Sequence, residues 1–186
     1  MEKISELISQ KAVETRIAEI AEQINKEYEG RDVHLICILK GSLFFTCELA
    51  KRLTMPVTID FIQVSSYGSG TVSSGNIKIK KELDESIEGR DVIVIEDIID
   101  SGNTLSRLVP YLQKMGPASL KICTLLDKPD RREADVNVDY NGFDIPDKFV
   151  VGYGLDYDQK YRNLPYIGVI AVSYTHLRAH ETRGNL

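Results

Sequence analysis

The chain has 186 residues, which is enough for one domain with a sizeable hydrophobic core. Its formal net charge of -5 argues against a general binder of nucleic acid or of anionic membranes. No apolar run is long enough to span a membrane, and the first residues lack the profile of a secretory signal peptide. The sequence therefore predicts a globular protein of the cytoplasm, with neither nucleic acid nor a membrane as its partner.

Apolar residues at roughly helical spacing predict a first helix within residues 3–27, ending near Gly30. A strand at 33–39 and a helix at 42–53 follow, and a further helix is predicted from Leu105 onward. Additional strands are predicted at 57–65, 77–80, 92–95, 120–126, 149–151 and 167–170. This alternation is typical of an α/β fold whose mostly parallel sheet is flanked by helices.

The three cysteines, Cys37, Cys47 and Cys123, are odd in number, widely spaced and set among apolar residues. This pattern is typical of reduced core residues in a cytosolic protein, and it does not suggest metal ligands or nucleophiles. We therefore predict that all three thiols are buried.

The segment 92–105, VIVIEDIIDSGNTL, combines a strand, three acids and a polar turn. Its first four residues are β-branched, as in a strand buried on both faces of a parallel sheet. Gly102 lets the backbone approach a ligand closely, and Ser101 and Thr104 supply hydroxyl groups. Because unpaired N–H groups and the helix dipole favour anions at such a helix start, the turn predicts a phosphate site.

Three carboxylates, Glu96, Asp97 and Asp100, lie within a few residues of this predicted phosphate site. Acids repel a phosphate unless they hold sugar hydroxyls, a divalent cation or a proton in transit. A strand, an acidic loop and a helix also occur in doubly wound folds that bind no ligand, so the turn by itself is a weak signal. The combination of the turn with the three acids favours a functional site.

The segment 92–105 resembles the phosphoribosyl pyrophosphate signature of the type I phosphoribosyltransferases. From about Lys40 to Ile170 the chain is similar to the hypoxanthine-guanine branch of that family. The resemblance implies a single domain over residues 1–171, with a small hood built from terminal segments beside the main sheet. It also implies purine salvage: transfer of 5-phosphoribosyl from phosphoribosyl pyrophosphate to N9 of a 6-oxopurine, hypoxanthine and also guanine. The family commonly forms homodimers or homotetramers.

In the resembled family, the two adjacent acids Glu96 and Asp97 hold the ribose hydroxyls, directly or through the waters of a magnesium ion. Asp100 acts as the general base near N7 of the purine. The resemblance assigns the 5′-phosphate to the turn formed by Ser101, Gly102, Asn103 and Thr104.

Three shorter matches carry roles only through the resemblance. Lys40-Gly41 matches the loop whose backbone receives pyrophosphate, after an unusual peptide geometry before the lysine. Ser66-Tyr67, in the Gly- and Ser-rich stretch 66–75, matches a lid that closes over the reacting centre, although a disordered solvent loop has the same composition. Lys128 follows a predicted strand, where a lysine is usually solvated. In the family this lysine holds the oxygen at purine C6, and as a donor only it favours 6-oxopurines over adenine.

The second long match is the segment 147–164, DKFVVGYGLDYDQKYRNL. By resemblance, Phe149 stacks on the purine and the Val150 backbone reads the base edge. Taken alone, Phe149 would be interpreted as a core residue. Arg162 matches the pyrophosphate contact, since guanidinium suits phosphate geometry. The implied cofactor is magnesium (Mg2+), with its candidate ligands at Glu96, Asp97 and Asp156.

Two alternatives remain open. A xanthine- or adenine-preferring transferase would share the fold and differ in its contacts with the base. The pyrimidine-operon regulators share the phosphoribosyl signature and bind RNA, but such a regulator should show a basic face. This acidic chain offers no clear basic cluster.

The segment 172–186 departs from the family pattern, which ends shortly after the strand at 167–170. It contains His176 and His180, whose spacing by four could clamp a metal on a helix. The segment is more typical of a disordered tail or an artefact of sequence assembly, so its removal is expected to leave activity intact.

Overall fold

The computed structural model of the chain describes residues 3–65 and 78–171. The predicted lid residues Ser66 and Tyr67, and the predicted tail 172–186, lie outside the described residues. Among the described residues, no helix is both long enough and apolar enough to cross a membrane.

Six strands form the larger sheet: β2 (Val33–Ile38), β3 (Val57–Ser65), β4 (Lys78–Lys81), β5 (Asp91–Ile99), β6 (Ser119–Asp127) and β7 (Tyr140–Asp144). Their order across the sheet is β4-β3-β2-β5-β6-β7. Each neighbouring pair is parallel except the edge strand β4, which is antiparallel to β3. The predicted mostly parallel sheet is therefore confirmed.

Helices cover both faces of this sheet: α1 (Gln10–Glu27), α2 (Leu43–Ala50) and α3 (Asn103–Gln113). Side chains of β5 alternate between the two faces, as the pleat of a strand requires. Ile93 and Ile95 belong to the core shared with α1 and α2, whereas Val92 and Val94 pack in the core shared with α3. Burial on both faces explains why β5 is a continuous apolar run.

A smaller antiparallel sheet is built from β1 (Ile4–Ile8), β9 (Ile167–Ile170) and β8 (Val150–Val151), in that order. Val150 and Ile167 of this sheet belong to the same apolar core as α1 and α2. The predicted hood of terminal segments is therefore confirmed, and its core is continuous with that of the larger sheet.

The predicted helix over 3–27 is wrong in its first part, because residues 4–8 form strand β1. Ile4, Leu7 and Ile8 have the spacing of a helical stripe, but Ile4 pairs with Ile170 of β9. The helix begins only after Ser9, whose side chain caps it by accepting a hydrogen bond from Ala12 N at 3.2 Å. Long-range pairing and a capping residue thus overrule the local periodicity.

Two other strands differ from the prediction. Strand β7, with the sequence YNGFD, was not predicted, because Asn, Gly and Asp are poor strand formers. Its Gly142 packs so closely on β6 that a Cβ there would lie 2.2 Å from Leu125 O. Strand β5 continues beyond the predicted 92–95, so Glu96 and Asp97 lie within the strand and not in the loop after it.

Cys37 and Cys123 are buried as predicted, but Cys47 is exposed on α2, so its assignment to the core is wrong. Burial raises the pKa of both buried thiols. The apolar neighbours of Cys47 in sequence misled the prediction, because Leu43 and Phe44 on the same helix are themselves exposed.

His34 on β2 is buried, with 1% of its surface exposed. Its Nδ1 lies 2.7 Å from Thr58 Oγ1, and its Nε2 has no hydrogen-bond partner among the described residues. Burial lowers the pKa of this imidazole, and the positive charge of Arg90 lowers it further. The folded chain therefore keeps His34 neutral at a pH where the unfolded chain protonates it.

We expect His34 to make the free energy of unfolding depend on pH. The contribution of neutral His34 to the free energy of unfolding is complete above the unfolded-state pKa of about 6.5. Below that pH it falls by at most about 1.4 kcal/mol per pH unit. The reason is that the unfolded chain then binds a proton that the folded chain does not. Urea unfolding at about pH 7.5 and about pH 5 should show a larger loss for the native chain than for His34→Gln, which cannot titrate. Equal losses would contradict a lowered pKa.

Candidate active site

The candidate site lies at the carboxyl edge of the larger sheet, where the segments after β2, β5 and β6 meet, as expected for ligand sites in parallel sheets. Lys40 and Gly41 follow β2 after Leu39, and the peptide bond between Leu39 and Lys40 is cis. A cleft of about 250 Å³ opens there, lined by Ile38, Val64 and residues 96–105. The signature segment thus forms most of one cleft.

The predicted phosphate turn begins helix α3. Gly102 is the N-cap residue and adopts a left-handed conformation, with φ 80°, which disfavours any side chain. The Ser101 hydroxyl accepts a hydrogen bond from Asn103 N at 3.3 Å, and the start of α3, with the positive end of its dipole, lines the cleft. Ser101, Asn103 and Thr104 line the same cleft. The structure therefore brings the four predicted phosphate residues together.

The segment after β6 is hydrogen-bonded to this turn. Glu133 N and Ala134 N both donate to Ser101 O, at 2.9 and 3.0 Å. The Asn103 side chain donates to Glu133 Oε2 at 2.8 Å. Sequence reasoning missed Glu133 and Ala134, because backbone contacts between distant loops leave no pattern in a single sequence.

Glu96 and Asp97 form an adjacent pair of acids at the cleft. Glu96 is 8% exposed, and burial together with the neighbouring charge of Asp97 raises its pKa well above the usual value. Burial also raises the pKa of Asp97. Backbone groups restrain Asp97, since Ile98 N donates to its Oδ1 at 2.8 Å. A cation or hydroxyl groups at this pair would offset the cost of holding two buried negative charges.

Glycine is required where three segments of the site meet. A Cβ at Gly41 would lie 1.6 Å from Asp97 Oδ2, and a Cβ at Gly154 would lie 1.9 Å from Gly41 O. Gly154 also has a φ of 104°, which side chains rarely adopt. The loop after β2, the acid pair on β5 and the segment after β8 are therefore in direct contact.

Arg162 is fixed beside these glycines. Its Nη1 donates to Gly154 O at 2.7 Å, and its Nη2 lies 2.9 Å from Asp156 Oδ1. Asp156 Oδ2 accepts from Gln159 N at 2.8 Å. Lys40 Nζ reaches the same loop, 3.3 Å from Gln159 Oε1. Arg162 and the Lys40-Gly41 loop, whose backbone is assigned to pyrophosphate by resemblance, thus lie on one side of the site.

A second cleft of about 200 Å³ adjoins the first and shares Asp97, Ile98 and Asp100 with it. Its other lining residues are Lys128, Phe149, Val150, Leu155 and Asp156. Phe149 is 48% exposed and packs edge-on against Tyr157, with 5.7 Å between ring centroids. An exposed ring at a cleft supports the stacking role and contradicts the alternative of a core residue.

Lys128 is buried, with 7% of its surface exposed, although a lysine after a strand would usually be solvated. Its Nζ lies 3.8 Å from Asp100 Oδ2 and 3.6 Å from Asp147 Oδ1. Arg131 bridges the same two acids, at 3.1 Å from Asp100 and 3.6 Å from Asp147. Sequence reasoning missed Arg131 and Asp147. Asp147 begins the matched segment 147–164 and could have been noticed there, whereas Arg131 carries no such signal.

The predicted metal ligands do not form a ready-made cage. Within residues 3–65 and 78–171, no three His, Cys, Asp or Glu side chains are grouped closely enough to hold an ion. Asp156 already contacts Arg162 and Gln159. The oxygen ligands present nevertheless suit magnesium, which commonly takes one or two carboxylates together with waters and substrate phosphates. Glu96 and Asp97, adjacent carboxylates that line the first cleft, would be the pair to hold it.

Comparison with known proteins agrees with this geometry. A family model described as the phosphoribosyl transferase domain matches residues 3–158. The hypoxanthine-guanine phosphoribosyltransferase of Streptococcus thermophilus is 51% identical over 164 residues, which are 88% of this chain and 91% of that protein. The hypoxanthine phosphoribosyltransferase of Salmonella typhimurium is 49% identical over 168 residues, covering 89% and 94% of the two chains.

A crystal structure of a hypoxanthine-guanine phosphoribosyltransferase from Bacillus anthracis superposes with a TM-score of 0.87 at 46% identity. The superposition covers 92% of this chain and all of that one. The resemblance inferred from the two long motifs is therefore confirmed over most of the chain. With its signature turn, acid pair and hood all present in the structure, the chain belongs to the phosphoribosyl transferase family.

Proposed function

We propose that the chain transfers the 5-phosphoribosyl group of phosphoribosyl pyrophosphate to N9 of hypoxanthine, and of guanine, releasing pyrophosphate. The observation that carries this proposal is the pair of adjoining clefts that share Asp97, Ile98 and Asp100. One cleft offers a phosphate turn, and the other offers an aromatic ring and a buried lysine. The shared residues lie where a ribose would join a 5′-phosphate to a base. Relatives named for this activity support the same assignment.

The proposed mechanism follows from where charge develops. Negative charge on the departing pyrophosphate is stabilised by Arg162 and by the loop at Lys40 and Gly41. Magnesium, when bound near Glu96 and Asp97, supplies further positive charge to that group. The same two acids hold the ribose hydroxyls and favour the positive charge that grows on the sugar.

Residues of the second cleft position the base and its proton. The Lys128 ammonium donates to the oxygen at purine C6, while Phe149 stacks on the ring and the Val150 backbone meets its edge. Asp100 accepts the proton at N7, which keeps N9 free to attack the ribose. Ser66 and Tyr67 are proposed to cover the reacting centre and exclude water. Residues 1–171 are proposed to act as one domain.

Pyrophosphate release tests this assignment. With phosphoribosyl pyrophosphate and magnesium, we expect release with hypoxanthine and guanine and little with adenine, because Lys128 can only donate at C6 and adenine carries an amino group there. Xanthine, which shares the C6 oxygen, and uracil complete the panel. Release with adenine or xanthine alone would place the chain among the other base specificities. No pyrophosphate release with any of the five bases would favour an RNA-binding regulator. A gel shift with candidate leader RNA at a stated salt concentration would then detect it.

Asp100→Asn should lower kcat by roughly 10² or more with little change in nucleotide affinity, since a positioned acid-base group contributes on that scale. The amide retains the size of the carboxylate but cannot take up the N7 proton. Steady-state kinetics measures kcat, and equilibrium titration with IMP measures affinity.

Asp130→Asn is the matched control, because Asp130 is an exposed acid in the neighbouring 3₁₀ helix (Pro129–Arg131). The control should retain the native kcat. If Asp100→Asn also retains it, Asp100 is not the base.

The chain is further proposed to form a homodimer or homotetramer through the exposed face of α2. Leu43 and Phe44 are adjacent there and are 38% and 42% exposed, so together they offer apolar surface that a second copy could bury. Phe44→Glu should shift sedimentation velocity profiles toward the monomer. Ile59→Glu, at an exposed apolar position on β3, should not. Dissociation by Ile59→Glu alone would place the interface elsewhere.

A further inference from the structure

The neutral side-chain oxygen of Gln159 is hydrogen-bonded to two cationic side chains, those of Lys40 and Arg162, at the proposed pyrophosphate site. Gln159 Oε1 accepts hydrogen bonds from Lys40 Nζ and from Arg162 Nη2, each at 3.3 Å. Lys40 belongs to the loop after β2, whereas Gln159 and Arg162 belong to the segment after β8. No role was assigned to Gln159 from the sequence, because an exposed glutamine in a loop carries no signal of its own.

The backbone around Gln159 is held in an unusual shape. Asp158, Gln159 and Tyr161 all have positive φ values, of 50°, 64° and 74°. Non-glycine residues rarely adopt this conformation, and it persists where surrounding contacts fix it. Those contacts include paired backbone hydrogen bonds between Tyr157 and Lys160, at 3.1 and 3.0 Å, and the bond from Gln159 N to Asp156.

Arg162 is held by short contacts, whereas the hydrogen bonds to Gln159 Oε1 are longer and can be replaced. Arg162 is fixed by Gly154 O and Asp156, and Gly154 packs directly on Gly41. The contacts of Gln159 Oε1 are longer and lie at exposed side chains. Water or a ligand can replace such hydrogen bonds at small cost, and an ionised phosphate oxygen binds the same donors more strongly.

We propose that Gln159 is a positioning residue for pyrophosphate, and this inference rests on the proposed function. Its amide oxygen tethers the Lys40 side chain to the loop that carries Arg162, until a phosphate oxygen replaces it. Without such an acceptor, the Lys40 ammonium would lose its contact with this loop, whereas Arg162 would keep its contacts with Gly154 O and Asp156. A neutral acceptor suits this role, because a carboxylate there would form ion pairs that compete with pyrophosphate.

The test compares Gln159→Met, which keeps length but removes the acceptor, with Gln159→Glu, which adds a charge. Calorimetry with inorganic pyrophosphate and magnesium measures binding, and kinetics measures KM for phosphoribosyl pyrophosphate. We expect Gln159→Met to weaken pyrophosphate binding and raise KM by about fivefold, the scale of one or two modest hydrogen bonds. Gln159→Glu should weaken pyrophosphate binding and raise KM by about tenfold or more. In both variants kcat should stay within about twofold of the native value.

Two controls separate positioning from a merely structural role. Affinity for IMP, which has no pyrophosphate, should be unchanged in both variants, and Gln10→Met on α1 should match the native chain throughout. The inference is overturned if Gln159→Met binds pyrophosphate like the native chain, if IMP affinity falls equally, or if Gln159→Glu binds as tightly as the native chain. A native chain that neither turns over nor binds pyrophosphate would overturn the proposed function as well. If the native chain is active and both Gln159 variants bind pyrophosphate as tightly as it does, only this inference is overturned.

Discussion

The site depends on one close contact, in which Gly41 lies between Asp97 and Gly154. A single added carbon at Gly41 or Gly154 would overlap an oxygen of its neighbour. Because packed interiors do not yield to such overlap without shifts, the three segments can meet only if both positions are glycine. This contact brings the loop with Lys40, the acids of β5 and the segment with Arg162 to one place, and the proposed chemistry requires all three together.

Charge is then distributed unevenly around that contact. On one side, Lys40 and Arg162 both contact the neutral Gln159, and Asp156 is the acid that pairs with Arg162. On the other side, Lys128 and Arg131 are already paired with Asp100 and Asp147, so the base cleft is nearly balanced. The proposed function places a neutral purine in the balanced cleft and pyrophosphate beside Lys40 and Arg162.

The sequence predicted the signature turn and the acids because their chemistry is contained in a few adjacent residues. The prediction from sequence was wrong where a contact with residues distant in the chain determines the local structure. Residues 4–8 have helical spacing and still form a strand, since β9 offers them a pairing edge. Strand β7 forms from weak strand residues because β6 lies beside it. Cys47 appeared apolar by its neighbours, yet the face of α2 that carries it points away from the core.

By itself the sequence determined the α/β class and the resemblance, and it predicted the turn at 101–104 and roles for Asp100, Lys128 and Phe149. These follow from local propensity and from short motifs whose residues act together. Only the tertiary structure decided that Lys128 is buried between two acids, that Gly41 touches Gly154 and that Gln159 links Lys40 to Arg162. Such contacts join residues far apart in the chain, and a single sequence carries no record of distance between them.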